Sequence, residues 1–148
     1  MAVQSKNRFT RLVGLRRLEE ENKAGLYGQA VVALEGQKER LSALDLETEQ
    51  ARREEQENFG DGRLSPEFYL NFYRGQAERR KMVLSDIERA GQELERARQV
   101  WNSARVKMLQ AEKLEEKSGE KLRKEAEKQA LREMDMVGVI RHQREFLL

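Results

Sequence analysis

Carboxylates are the commonest reactive side chains in this sequence, with 27 Asp and Glu among 148 residues. A pair of them does acid–base chemistry only where a pocket desolvates one enough to hold its proton near neutral pH. Nothing in the sequence points to such a pocket. The single histidine, His142, lies near the C-terminal end and reads as a solvated surface residue rather than a base. There is no cysteine, hence no thiolate nucleophile and no disulfide framework. No glycine-rich loop with a following lysine is present to cradle a phosphate, and no cluster has metal-ligand spacing. Asp61, between Gly60 and Gly62, is explained by a turn. The reactive groups therefore point away from catalysis, with no cofactor and no metal expected, and towards binding.

Two stretches carry binding chemistry. Lys6, Arg8, Arg11, Arg16 and Arg17 all precede the first acid, Glu19, with Phe9, Leu12, Val13 and Leu15 interleaved. Basic amphipathic stretches of this kind serve as transit peptides or membrane-surface helices. Here the helical spacing runs on without a boundary through Leu18, Leu26, Tyr27, Val31 and Leu34, which favours the start of a long helix. Positive charges at the positive end of a helix dipole are misplaced unless an anionic partner meets them. The second stretch is aromatic: Phe68, Tyr69, Phe72 and Tyr73. At helical spacing these cannot all face one neighbouring helix, so they either cap a helix pair or leave a sticky patch for a partner.

The elements that position both stretches are set by one turn. Asn58 to Pro66 is the only dense cluster of turn formers, and Pro66 is the only proline. Gly60 and Gly62 supply the positive φ that other residues resist. Ser65 reads as an N-cap and Pro66 as the first helical residue, where a missing N–H is harmless. Leu64 and Tyr69 are spaced for a hydrophobic staple. The sequence thus predicts one domain, 1–148, of two long helices: about 5–58, a turn over 59–65, and about 66–145.

Heptad spacing predicts how these helices pair. Tyr27, Ala30, Leu34, Leu41, Leu44 and Ala51 alternate three- and four-residue steps. Leu12, Leu15, Asn22 and Leu26 fit a shifted register, which predicts a discontinuity near 22–26. In the second helix Ala77, Leu84, Ile87, Gly91, Leu94, Trp101 and Met108 continue a seam, with Arg80, Arg98 and Arg105 on it and snorkelling outward. Folding back about Gly62 pairs residues whose numbers total about 124, the geometry of an antiparallel αα-hairpin. Trp101 then meets the region 23–27, Leu34 lies near Ala90, and Ala33 and Gly36 approach Glu88 and Gly91 closely. Glu19 with Lys23, and Glu49 with Arg53, are favourable i,i+4 pairs. The first helix runs out opposite about Gly119, leaving residues from Glu120 onward to overhang. Leu122, Ala126, Met136, Ile140 and Leu147 keep helical spacing there with no partner in the same chain.

Composition agrees with an all-α, long two-helix antiparallel coiled-coil hairpin with an overhanging C-terminal helix. Charged residues make up 38%, yet 29 basic residues nearly cancel 27 acidic ones, leaving +2. Mixed signs mark solvated helical faces, whereas disorder goes with a large net charge. The near-zero balance argues against nucleic acid as partner. No stretch approaches the ~20 apolar residues that span a bilayer.

The run Trp101-Asn-Ser-Ala-Arg-Val-Lys-Met-Leu-Gln-Ala-Glu-Lys-Leu-Glu-Glu-Lys117 resembles the second-arm motif of the flagellar export protein FliJ family. That motif has a tryptophan, then Ala-Arg-x-Lys, then a leucine-bearing Glu-Lys-Leu segment. The Phe9-x-x-Leu12 start with Arg16 and Arg17 is also similar, as is the Tyr69-x-x-Phe72 pair after the turn. So is Ala130-Leu-Arg-Glu133-Met-Asp135, where Arg132 stands at a place the family commonly gives to Asp. The resemblance covers nearly the whole chain.

It implies a non-catalytic coupling stalk of the flagellar type III protein export apparatus. Such a protein is cytoplasmic, peripheral at the inner membrane, and similar to the central stalk of rotary ATPases. The resemblance implies three partners: the hexameric export ATPase, the large membrane component of the export gate, and export chaperones. Carried over by position, Arg8, Phe9, Leu12, Arg16, Lys121 and Leu122 would face the ATPase, and Tyr69, Phe72 and Tyr73 the gate. The equivalent stalk of a virulence type III secretion system has the same architecture. A prefoldin-like holdase is a second class, but it needs β-hairpins between its helices, and the short turn leaves no room. A cytoskeletal or membrane-surface coiled coil using the basic stretch is a third.

Overall fold

The computed structural model describes residues 7–58 and 65–147. Two helices account for nearly all of them: α1 (Thr10–Glu57) and α2 (Pro66–Leu147). The fold is all-α, two long helices packed against each other. α1 begins later than the expected start near residue 5, since the described residues 7–9 precede the helix, while its end and the start of α2 at Pro66 lie where the turn formers put them. Asn58 N still donates to Glu54 O at 2.9 Å, closing α1. At the start of α2, Phe68 N donates to Ser65 O at 3.0 Å and lies 3.3 Å from Ser65 Oγ, so Ser65 caps as its type and the following proline predict. Gly60, Asp61, Gly62 and Leu64 lie outside the described residues, as does Lys6, so the staple and the turn geometry fall there too.

The chain packs as two compact units, Asn22–Asn102 and Met1–Glu21 with Ser103–Leu148. In the first, cross-helix contacts run in opposite order along the two helices: Glu55 with Tyr73, Thr48 with Gln76, Asp45 with Arg80, Arg40 with Asp86, Tyr27 with Trp101. The pairing is therefore antiparallel. Thr48–Gln76 falls on the expected register, and Trp101 meets Tyr27, at the edge of the region 23–27 expected for it. The second unit is antiparallel as well, with Arg17 on Glu112 at 3.2 Å and Asn7 on the Glu115 carbonyl at 2.7 Å.

The seam of α1 is the expected one from Tyr27 onward. Tyr27, Ala30, Leu34, Leu41, Leu44 and Ala51 are all half-buried. Upstream the expected discontinuity is absent. The same alternation continues back through Lys23, Glu20, Arg16 and Val13, and Val13 is the most buried side chain described. Leu15 and Leu26 are outside instead, 53% and 50% exposed. The alkyl stems of Lys23 and Arg16 keep the seam in step, and Leu15 and Leu26, each one position before an inward residue, stay outside it.

In α2, half of the expected seam is displaced by one residue. Ile87, Leu94, Trp101 and Met108 are inward as expected. The alternating positions are Val83, Ala90, Ala104 and Ala111, all buried, with Ala97 half-buried between them. Ala77, Leu84, Arg98 and Arg105 are exposed. Each anchor of a heptad seam has a partner set on either side, and the set taken here is the alanine one. Alanine lets the helices meet without burying a guanidinium, which is costly when unpaired. The close approach expected of Ala33 and Gly36 to Glu88 and Gly91 does not occur. Ala33 is exposed, and a Cβ on Gly36 or Gly91 would meet nothing within 4 Å.

Leu122 is the last half-buried residue of α2, and from 123 to 146 every side chain is exposed. The expected overhang is therefore present, and it is helical.

Candidate binding surfaces

The arginine-rich start of α1 belongs to the unit Met1–Glu21 with Ser103–Leu148. Its geometry is organised by Asn7, which the sequence reading missed. Asn7 Oδ1 accepts from Phe9 N at 3.0 Å, and Asn7 O accepts from Thr10 N at 3.2 Å, so this residue satisfies amides that open the helix. Its Nδ2 donates across to the Glu115 carbonyl of α2. A Cβ on Gly119 would lie 3.6 Å from Asn7 Nδ2, an ordinary van der Waals contact, so Gly119 packs beside this bond without being required by it. An Asn just before a helical apolar run is a recognisable N-cap signal, but its second partner lies too far along the chain to read.

Around this anchor the sequence-predicted residues separate by role. The Arg8 guanidinium sits 4.8 Å from the Phe9 ring centroid, a cation–π contact. Phe9 and Leu12 are half-buried beside Val13 in the seam. Arg16 is half-buried and pairs with Glu19 at 3.0 Å, so Glu19 takes Arg16 as its ion-pair partner rather than the expected Lys23. Arg8 and Arg11 are exposed and have no carboxylate partner among the described residues. The first turn of α1 holds no acid. Positive side chains thus reinforce the positive dipole end, which makes an anion-attracting surface. Lys121 is exposed and Leu122 half-buried, in the turn of α2 following Gly119.

The aromatic stretch belongs to Asn22–Asn102. It divides between the two expected roles. Tyr69 is 6% exposed and is packed on by Phe68 edge-on at 5.7 Å and by Tyr73 at 6.4 Å between centroids. Its hydroxyl is buried and has no hydrogen-bond partner among the described residues. Phe72 is half-buried, edge-on to Tyr73 at 5.8 Å. Phe68 is 50% exposed. Tyr73 Oη donates to Glu55 Oε2 at 2.5 Å, with Arg52 over its ring at 5.9 Å. Burial first, then the hydrogen bond to Glu55 and its charge, push the Tyr73 phenol up to about 12. A groove of about 340 Å³ runs between Ala51 of α1 and Phe68, Tyr69 and Phe72 of α2, with Glu47 and Glu54 on its rim. An apolar floor with an acidic rim suits an apolar segment flanked by bases.

His142 is exposed and lies 5.9 Å from the Phe146 ring, with no carboxylate partner described. Among the described residues no group of His, Cys, Asp and Glu could hold a metal ion, and no helix is long and apolar enough to cross a membrane. The two surfaces, one in each unit, therefore have distinct chemistry: one is basic with a half-buried aromatic, the other aromatic with acidic side chains along its groove. No protein family, curated protein or solved structure matches the chain.

Proposed function

We propose that this protein is a non-catalytic coupling stalk of the flagellar type III export apparatus. In this reading it is a cytoplasmic protein, peripheral at the inner membrane through the apparatus it serves. The observation that carries the reading is a helical hairpin with two chemically different binding surfaces in different packing units. The basic surface of Arg8, Phe9 and Leu12 supports engagement of acidic loops in the hexameric export ATPase. Charge of this kind steers encounter and orientation more than it adds affinity. The aromatic groove of Phe68, Tyr69 and Phe72 supports an anchor for the large export-gate component, because buried aromatic anchors dominate interface energies. Export chaperones complete the partner set. A virulence type III system would use the same surfaces, and the genes beside this one distinguish the two. A prefoldin-like holdase is disfavoured, because only residues 58–65 separate the two helices.

The test is ATPase activity of the cognate hexameric enzyme with the wild-type chain and with Phe9→Asp. Stimulation by the wild type and at least about a tenfold weaker response from the variant are expected, the scale of one lost hot-spot contact. A helical, folded wild type that leaves the ATPase unchanged removes the stalk reading.

A further inference from the structure

From 123 to 146 every side chain of α2 is exposed, yet its middle carries apolar residues on every side. Leu131, Met134, Met136, Val137, Val139 and Ile140 point around the whole circumference and are all exposed, Met134 by 70%. Apolar side chains exposed in such number on one stretch mark an interaction surface. The charges on either side of this stretch are ordered. Arg132, Glu133 and Asp135 lie in its N-terminal part, and Arg141, Arg144 and Glu145 follow it, so an end-for-end turn sets Glu133 on Arg144 and Arg132 on Glu145. Turned end for end, the stretch is its own electrostatic complement. Glu133, Val137, Ile140 and Arg144 also share one face, at the alternating steps of a coiled-coil seam. That face begins at Glu133, about three helical turns beyond Leu122, the last half-buried residue of α2, so the pairing needs no displacement of α1.

We propose that this stretch of α2 pairs antiparallel with the same stretch of a second copy of the chain. Val137 packs on the partner's Ile140, and Glu133 meets the partner's Arg144. Two-fold symmetry makes each contact twice, so an apolar centre is closed by an ion pair at both ends. A parallel arrangement would set Glu133 against Glu133 and Arg144 against Arg144, which costs free energy wherever like charges are opposed. The paired segment is short, below the ~1,000 Å² that marks a stable interface, so the association is reversible and depends on concentration. It does not depend on the stalk reading and stands or falls separately.

Sedimentation of the full chain over rising concentration tests it, with three variants. The wild type is expected to shift from monomer to dimer. Glu133→Arg should weaken the dimer about tenfold, since the change acts at two symmetry-related exposed contacts. Glu133→Arg with Arg144→Glu should restore wild-type association. Both positions are exposed, and unchanged helicity by circular dichroism shows that the fold is intact in each variant. Ala130→Cys, the only thiol in the chain, should form no disulfide-linked dimer, because antiparallel pairing keeps the two copies of residue 130 apart. A wild type that stays monomeric overturns the proposal. So does a dimer indifferent to Glu133→Arg, a double variant as weak as the single one, or ready self-linkage at residue 130.

Discussion

The two units close the same helix pair with different chemistry. In Asn22–Asn102 a polar layer follows the aromatics that lie nearest the turn. Gln76 is buried, donating to Thr48 Oγ1 at 3.1 Å and accepting from Arg79 at 2.9 Å, while Thr48 Oγ1 donates to the Leu44 carbonyl. Arg80 meets Asp45 at 3.0 Å one turn further on. In Met1–Glu21 with Ser103–Leu148 the buried side chains are Val13, Ala104 and Ala111. The difference separates closeness from register. Alanine recurs every seventh residue at 90, 97, 104 and 111, so a slide of one heptad would leave most alanine layers unchanged. Small apolar layers bring helices together and cannot say where they stop. Unique contacts must do that, and they are the Thr48–Gln76 bond, the Tyr27–Trp101 stack and the Asn7–Glu115 bond. A single buried polar residue fixing register is the best-attested use of such groups in coiled coils.

The largest expected effect breaks the apolar side of this comparison. Val13→Asp buries a carboxylate in the most enclosed position described and should cost about 3 kcal/mol. Urea unfolding followed by circular dichroism reads it. A loss below about 0.5 kcal/mol, the scale of an ordinary surface substitution, would mean that this part of the seam is open.

The polar side sharpens the comparison with a smaller effect and a definite sign. Thr48→Val leaves Gln76 Nε2 buried without its acceptor and should cost about 1–2 kcal/mol. Adding Gln76→Leu should recover most of that, because removing both partners is close to neutral. The restored stability should come with less specific pairing, visible as extra cross-helix cysteine linkages one heptad out of register. If the double variant is stable and still pairs in one register, the polar contact is not what fixes it.

The smallest effect is a dependence on pH. Tyr73 holds its phenolic proton more tightly when folded, with its pKa raised from 10.0 to about 12. A raised folded value means that the stabilisation is complete below about pH 10 and is lost as pH rises towards 12. Across that window Tyr73→Phe should lose less stability than the wild type, and absorbance titration should lack the phenol raised to about 12. Equal alkaline losses in both proteins would show that the Tyr73–Glu55 contact does not form in solution.

Much of this architecture was legible in the residues, and the parts that were not have physical reasons. The turn cluster located both helix ends because proline, glycine and serine act through local backbone preference. The α1 seam was legible from Tyr27 because most of its inward positions, Tyr27, Ala30, Leu34, Leu41, Leu44 and Ala51, are apolar. Upstream the inward positions are Arg16, Glu20 and Lys23, so hydropathy pointed to Leu15 and Leu26 instead. In α2 the signal was the seven-residue alanine repeat, which scales weighted towards large side chains rank below Leu84. Of the surfaces, the basic stretch and the aromatics could be found by type alone. Asn7 with Glu115, and Arg17 with Glu112, join residues about a hundred positions apart, and only the folded pairing reveals them. Which protein meets each surface is chemistry between molecules, and one chain holds half of it.

Trp101 is the only tryptophan in the chain, and it lies against Tyr27 with ring centroids 5.2 Å apart and planes tilted by 25°. One ring comes from each helix. The molecule therefore contains its own optical gauge. Indole emission shifts to the red when water replaces a neighbouring ring, and energy passing from tyrosine to tryptophan falls as the two separate. Light emitted from this single residue reports whether the helices are together at this layer, without any label. Binding that leaves the pair closed should be dark to this signal, and binding that parts it should be visible.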